Sequence, residues 1–373
     1  MRWRSECAST IVELHERGNN AVPYDNLPVL ITGGLGFIGS NLAIRLVEAG
    51  ARVTIADPLM VGCGANRHNI AAVANRVELI ERDIGDADEF ASAIRDAKVI
   101  FNLAGEISHI HSMEFPERDL LINTVAQLRF LQACARHNPG VRIVYAGTRQ
   151  VYGKPDYLPM DESHPVRPVD FNGVHKYAAN MYHAMLSRSG QIDGIVLRLT
   201  NVYGPRMSLA IPCQGFLSTF LRLVLTGKGL QVFGDGKQLR DPVFVDDIVE
   251  AFLLAGLAPS PKERTINVGG PEALSLRRIA ELCAKHGGDL PVTIRPFPED
   301  RVAIDIGSYS TDSSLFERTF GWKPVVRFEE GLLSTLAYYR AEMPHYLDPA
   351  NPQPFCGLPE HQGVQHRLMY SAV

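Results

Sequence analysis

The residues Thr32-Gly33-Gly34-Leu35-Gly36-Phe37-Ile38-Gly39-Ser40 follow a β-branched run, Val29 to Thr32, and open a segment with Ile38, Leu42, Leu46 and Val47 at helical spacing. Glycines so placed between a strand and a helix suit the pyrophosphate of a dinucleotide. Gly33 or Gly34 makes the turn, Gly36 lets backbone approach the phosphates, and Gly39 lets the helix pack closely. The helix start adds free N–H groups and a positive dipole end. Gly33, Gly36, Phe37, Ile38 and Gly39 are therefore the expected cofactor contacts. Asp57 stands at the end of the next run, Arg52 to Ala56. A carboxylate there accepts from both ribose hydroxyls and repels a 2′-phosphate, and no arginine follows in Asp57-Pro58-Leu59, so NAD is expected rather than NADP. The other role open to Asp57 is capping the turn before Pro58.

Such a loop needs a parallel sheet behind it. Short runs rich in Val and Ile recur at Val77–Ile80, Val99–Asn102, Arg142–Tyr145 and Gly194–Leu199, with helical patterns between them such as Leu120, Leu121, Val125, Leu128 and Leu131. Strands apolar on both faces and separated by helices predict an α/β fold, a Rossmann-type doubly wound parallel sheet. After Asn201, Gly and Pro become frequent and strands are isolated at Leu230–Phe233 and Thr265–Val268. The expected division is an N-terminal arm over 1–27, a dinucleotide-binding domain over 28–200, a smaller C-terminal substrate lobe over 201–343, and an extended tail over 344–373. The run near 265–268 is a candidate to rejoin the main sheet.

Composition excludes several other classes. The chain has 373 residues, 46% apolar and 21% charged, enough to bury a large core without staples. A formal charge of −4 and no basic run speak against nucleic acid and anionic membrane. Six cysteines lie far apart and never as Cys-x-x-Cys, as reduced thiols of a cytoplasmic protein do. The first twenty residues carry charges throughout and lack the apolar core of a signal peptide, and no run is long and apolar enough to span a bilayer.

The glycine loop, the segment Glu81-Arg82-Asp83-Ile84-Gly85-Asp86, then Asn102-Leu103-Ala104-Gly105 and Val151-Tyr152-Gly153 occur in an order that resembles the extended short-chain dehydrogenases/reductases, within them the NAD-dependent epimerase/dehydratase family acting on nucleotide-linked sugars. The resemblance runs from about Pro28 to Tyr339. It implies that Asp83 and Ile84 flank the adenine, that Leu103, Ala104 and Gly105 line the dinucleotide, and that Asn123 lies toward the nicotinamide. It also implies that Thr148, four residues before Tyr152, hydrogen-bonds the reacting sugar hydroxyl, and that Lys176 holds the nicotinamide ribose and supplies positive charge.

The family pairs that lysine with a tyrosine four residues earlier, whose phenolate takes the hydroxyl proton. Here the position is Asn172, and no lysine in the chain has a tyrosine four residues before it. An amide can orient a hydroxyl but has no proton to exchange near neutrality. Candidate replacements are His175, Tyr177, and Glu106, His109 or His111 in the loop after the fourth strand. His109 and His111 lack a third ligand at recognisable spacing, so no metal is expected. Arg149 and Gln150 stand where the family's 4,6-dehydratases carry Asp and Glu, which leaves epimerisation by hydride removal and return as the expected reaction, UDP-glucose 4-epimerase-like. A dehydratase or lyase using another acid/base set such as Glu106, and a binder that lost its tyrosine, are the alternatives. By resemblance, Ser112 and Asn201 lie near the sugar or diphosphate, Arg240 meets the nucleotide and Arg301 the diphosphate. The helices around Leu120–Leu131 and Lys176–Leu186 correspond to those that pair across a two-fold axis in relatives, so a homodimer is expected.

Overall fold

The structure, a computed structural model, describes residues 24–60, 62–211, 215–297 and 305–347. Six strands, β1 (Pro28–Thr32), β2 (Arg52–Ala56), β3 (Val77–Ile80), β4 (Val99–Asn102), β5 (Arg142–Thr148) and β6 (Asp193–Leu199), form one parallel sheet in the order β3-β2-β1-β4-β5-β6. The strand Thr265–Val268 extends it beyond β6, in parallel register from Thr265 beside Val196 to Val268 beside Leu199. This is the doubly wound α/β architecture, and its strand order reverses between β1 and β4, where a crevice opens at the carboxyl ends of the strands.

Alternation explains why both faces are dry. Val29, Ile31, Val53, Ile55 and Phe101 face a core made with α1 (Phe37–Glu48) and the helix Val245–Leu257. Leu30, Ile100 and Ile143 point the other way, onto Phe130 and Leu131 of α5 (Ala126–His137). The remaining helices near the crevice are α2 (Ala91–Asp96), α3 (His109–Glu114), α4 (Pro116–Leu120) and α6 (Phe171–Arg188). A π-helical turn, Leu121–Val125, joins α4 to α5, so the apolar run around Leu120 becomes two helices. A second core lies in the lobe, where Leu217, Phe220 and Leu221 meet Ile279, Cys283, Leu332 and Leu336.

Order extends past two of the sequence-based boundaries. Tyr24 is fully buried and its hydroxyl donates to Leu253 O, which ties the segment before Pro28 to the core. Beyond residue 343, His345 stacks on His68 and the Tyr346 hydroxyl donates to Asn69. Residues 1–23 of the expected arm and 348–373 of the expected tail lie outside the described residues. No helix among the described residues is long and apolar enough to cross a membrane.

The first residue of β5 is an arginine buried to 1% exposure, which hydrophobic patterning alone would not place there. Arg142 donates from Nε and Nη2 to Asp193 Oδ2 at 3.0 and 2.8 Å and from Nη1 to Ala255 O at 2.6 Å, so it bolts β5 to β6 and to the covering helix. Burial would raise the Asp193 carboxyl, but Arg142 and Arg264 outweigh it and hold the group far below the usual carboxylate range. An Asp lowered in this way stabilises fully at neutral pH and loses that contribution as pH falls through and below the usual range. Arg142→Met leaves Asp193 short of a buried partner and is expected to lower unfolding free energy by about 3–5 kcal/mol, read from urea denaturation at pH 7. A midpoint within experimental error of the parent would refute this account of the bolt.

Candidate active site

The crevice widens into a cleft of about 560 Å³ between the sheet's carboxyl edge and the lobe. Its cofactor half is built on β1, the glycine loop and α1. Gly33, Gly36, Phe37, Ile38 and Gly39 all line it. Gly33 holds φ +68°, a left-handed turn, and a Cβ on Gly39 would overlap the carbonyl oxygen of Gly33. The N-cap of α1 is Gly36, with no side-chain cap and no acidic residue in the first turn, so its N–H groups are free for an anion.

Asp57 is 4% exposed at the end of β2. Its Oδ2 accepts from Leu35 N–H at 3.0 Å and its Oδ1 from Leu59 N–H at 2.9 Å. The carboxylate thus both caps its turn and anchors the glycine loop, with lone pairs to spare for a diol. Burial pushes its pKa up, against the pull of those two N–H groups.

Leu103 and Gly105 line the cleft after β4, while Ala104 N–H donates to Thr32 Oγ1. Asp83 caps a turn by accepting from Gly85 N–H, and Ile84 is buried beneath it. Asn123 clamps the backbone of Glu106, accepting from its N–H and donating to its carbonyl, each at 3.1 Å. The residues present suit a dinucleotide: an uncapped helix start, a glycine cradle with no Cβ in the way, and a carboxylate at the far end.

Thr148, Asn172 and Lys176 meet on the opposite wall. Asp170 caps α6 by accepting from Gly173 N–H at 2.7 Å, which sets Asn172 and Lys176 on the helix's first turns. The Asn172 amide nitrogen donates to Glu106 O at 3.0 Å and to Asp119 Oδ2 at 2.9 Å. Both partners are acceptors, so the nitrogen is fixed toward them and Oδ1 is the end left for the cleft. Lys176 Nζ lies 3.4 Å from Ala146 O and 5.4 Å from the centroid of the Tyr145 ring. Burial lowers its pKa to about 8, with Asp119 pulling the other way.

Three of the candidate acid/base groups, Glu106, His175 and Tyr177, do not face this cleft. The Glu106 carboxylate is 7% exposed and turned to Arg118, 3.4 Å away, and to His111, 3.7 Å away. Only its backbone touches the site, through Asn172, and burial raises its pKa. His175 points at α4, its Nδ1 2.7 Å from Asp119 Oδ1, because one residue from Lys176 is about 100° round the helix. Tyr177, a further 100° on, packs in a separate apolar cluster with Val151 and Tyr152.

His109 does line the cleft. Its Nδ1 lies 3.0 Å from Asp170 Oδ2, close enough for an ion pair but off the line that a hydrogen bond needs. Gln150 donates to the same Asp170 oxygen at 2.9 Å. Against the upward push of burial, His109, Gly173 and Gln150 together hold the Asp170 carboxyl below its usual value. Asp119 and Asp170 carry this arrangement, and sequence reasoning missed both. Asp170 gave a signal, as an acid heading a helical pattern; Asp119 gave none.

On the substrate side, Asn201 and Arg240 line the cleft. Arg240 Nη1 donates to Leu239 O at 2.7 Å and Gly307 O at 2.6 Å, and burial first, then the charge of Arg149, lower its pKa to about 10. Ser112 is buried and donates to His109 O at 2.7 Å, so it braces the start of α3 rather than lining the cavity. Arg301 lies outside the described residues.

Comparison with known proteins identifies the frame. The model of the NAD dependent epimerase/dehydratase family matches residues 29–269. The UDP-glucose 4-epimerase of Mycolicibacterium smegmatis is 34% identical over 316 residues, 83% of this chain and 98% of that protein. UDP-glucuronic acid decarboxylase 1 of Xenopus tropicalis is 30% identical over 331 residues, 86% of this chain and 74% of that protein. The dTDP-glucose 4,6-dehydratase of Streptomyces venezuelae, crystallised with NAD bound, superposes with a TM-score of 0.77 at 26% identity, covering 86% of this chain and 98% of that one. Its glycine loop, acid and strand order, together with these matches, make this chain a member of the NAD-dependent epimerase/dehydratase family, with NAD as its cofactor.

Proposed function

We propose that the chain is a nucleotide-sugar epimerase that transiently oxidises one ring carbon to a ketone and restores it with hydride on the opposite face. The observation that carries this reading is the cleft's acid/base inventory. Neither residue after Thr148 is a carboxylic acid, Glu106 is turned away, and Asp305, an acid that does line the cleft, lies by Arg240 on the lobe side, so among the described residues no carboxylate stands beside Thr148 for a dehydration or a lyase step. When bound, NAD supplies the hydride acceptor and, on return, the hydride.

Thr148 Oγ and Asn172 Oδ1 hold the reacting hydroxyl, and His109 Nε2 takes its proton as the C–H bond breaks, then gives it back to the alkoxide. Asp170 is a positioning residue in this scheme. Its carboxylate, 3.0 Å from Nδ1, stabilises the imidazolium that forms. The ammonium of Lys176 holds the nicotinamide ribose. The non-catalytic reading rested on Asn172, and a His–Asp pair aimed into the same cleft offsets that loss.

The exposed side chains Phe171, Val174, Met181 and Met185 form a stripe along α6, and Leu120 and Leu121 continue it on the neighbouring turn. A second copy of this chain, presenting the same face across a two-fold axis, would cover it. Leu121→Asp with Met185→Asp is expected to shift sedimentation from dimer to monomer. A monomeric parent would contradict this assembly.

The reaction is tested by incubating the protein and NAD with UDP-, GDP-, dTDP- and CDP-sugars in deuterated water and following each by proton NMR. One sugar is expected to invert a single centre with no deuterium at carbon. Deuterium uptake or an alkene signal would replace the epimerase with a dehydratase or lyase, and binding without change would support the non-catalytic reading. On the sugar that turns over, His109→Ala is expected to lower kcat by about 10²–10⁴ with KM little altered; parental kcat would remove His109 from the mechanism.

Lys176 is charged below a pKa of about 8 and loses its charge above it. Affinity for NAD is therefore expected to fall as pH rises through about 8, and Lys176→Met to bind NAD weakly at every pH. A pH-independent affinity in the parent, measured by calorimetry, would show that the ammonium does not hold the cofactor.

A further inference from the structure

Arg149 is a buried cleft cation that feels the charges of Asp241 and Asp170 from a distance but makes no ion pair with either among the described residues. The side chain follows Thr148 directly, lines the cleft and is 8% exposed. Its guanidinium stacks over Tyr309, 4.5 Å from the ring centroid, and Nη2 donates to Asn201 Oδ1 at 3.4 Å. The Nη1 atom is buried without a hydrogen-bond partner among the described residues. The nearest acids are already engaged. Asp241 accepts from Thr200 and from Thr311 N–H, and Asp170 from Gln150 and Gly173. Arg240, close enough for its charge to be felt, adds a second buried cation rather than a counter-ion. A buried guanidinium with a free N–H edge is costly unless something outside the chain pairs with it. Rigid stacking on Tyr309 also means that the edge is held ready and not swung out to solvent.

We infer that Arg149 is the binding site for a carboxylate on the sugar itself, so that the preferred substrates are nucleotide diphosphate uronic acids. This deepens the proposed function and rests on its placement of the reacting hydroxyl at Thr148. The diphosphate hangs from the anomeric carbon, across the ring from a hydroxyl at the fourth carbon, whereas the sixth carbon is attached next to that centre. A side chain adjacent to Thr148 is thus placed for a group at the sixth carbon. Arg240, tied to the backbone of Leu239 and Gly307, is left for the diphosphate. A planar, two-oxygen acceptor also matches the guanidinium's bidentate geometry better than a hydroxymethyl group does.

The test compares UDP-glucuronate, UDP-glucose and UDP as ligands of the NAD-loaded protein by calorimetry; the same sets on GDP and dTDP cover a different base. On the tightest-binding nucleotide, the parent is expected to prefer the uronic acid over the neutral sugar by about tenfold to a hundredfold, the weight of a hydrogen bond to a charged group. Arg149→Met should abolish that preference and leave the affinity for the bare diphosphate unchanged. Arg149→Lys, which keeps the charge but not the fork, should retain part of it and guards against a folding defect in the first variant. A parent without preference, or an Arg149→Met protein that loses affinity equally for all three ligands, would overturn the inference and assign the guanidinium to the diphosphate, with the epimerase reading intact. No binding by any of the nucleotides would defeat the nucleotide-sugar reading and this inference together.

Discussion

Contact between the first and second turns of one short segment governs the rest of the molecule. Gly39, on the opening turn of α1, lies against the carbonyl of Gly33 so closely that no Cβ fits between them. That approach brings the helix axis over the end of β1, and the helix starts at Gly36 with no side-chain cap on its first N–H groups. Asp57 then reaches across from β2 to hold Leu35 N–H, so loop, helix and neighbouring strand share one rigid unit. A parallel sheet covered on both faces is the scaffold able to hold such a unit still, and Arg142, bridging β5, β6 and the covering helix, pins the amino end of the strand whose last residue is Thr148.

Loss of a tyrosine at position 172 has consequences beyond one side chain. A phenol there would aim its oxygen into the cleft; the shorter asparagine turns its nitrogen to Asp119 and to the backbone of Glu106. Asp119 is shared with His175, so that histidine is drawn to α4 and out of contention. One buried carboxylate therefore fixes both the residue at the tyrosine position and one of the candidates to replace its phenol. The same network presses on the turn after β4 from beneath, since Asn123 and Asn172 both grip Glu106. It is that turn which leads into α3 and delivers His109 to the cleft, beside an acid that is itself the cap of α6.

Legibility in the sequence followed the range of the interaction. Strands β1 to β6 were readable because each contains a short run rich in Val and Ile, and the glycine loop because its demand on φ and on space is local. The strand Thr265–Val268 was visible, and its seat beside β6 follows from the helix Val245–Leu257 crossing the sheet to reach it. Order at Tyr24 was missed because its partner, Leu253, lies 229 residues away and no local pattern announces it. Direction within the site was hardest to read. Whether Glu106, His109 or His175 enters the cleft depends on what Asp119, Asp170 and Arg118 hold, and those pairings exist only once four separate segments have been folded together.

Charge in the finished cleft is unevenly answered, and the imbalance is itself informative about chemistry. Acidic groups near the reacting wall are each occupied: Asp170 by a helix start, an amide and an imidazole, Asp119 by Asn172 and His175, Asp241 by two threonines. The cations Lys176, Arg149 and Arg240 make their close contacts to carbonyls, an amide oxygen and aromatic faces, with carboxylates acting on them only from a distance. Burial lowers the pKa of all three, which is the mark of positive charge held where water does not help it. A site of this kind spends folding stability to stay electropositive, and that cost is offset only when an anionic ligand enters.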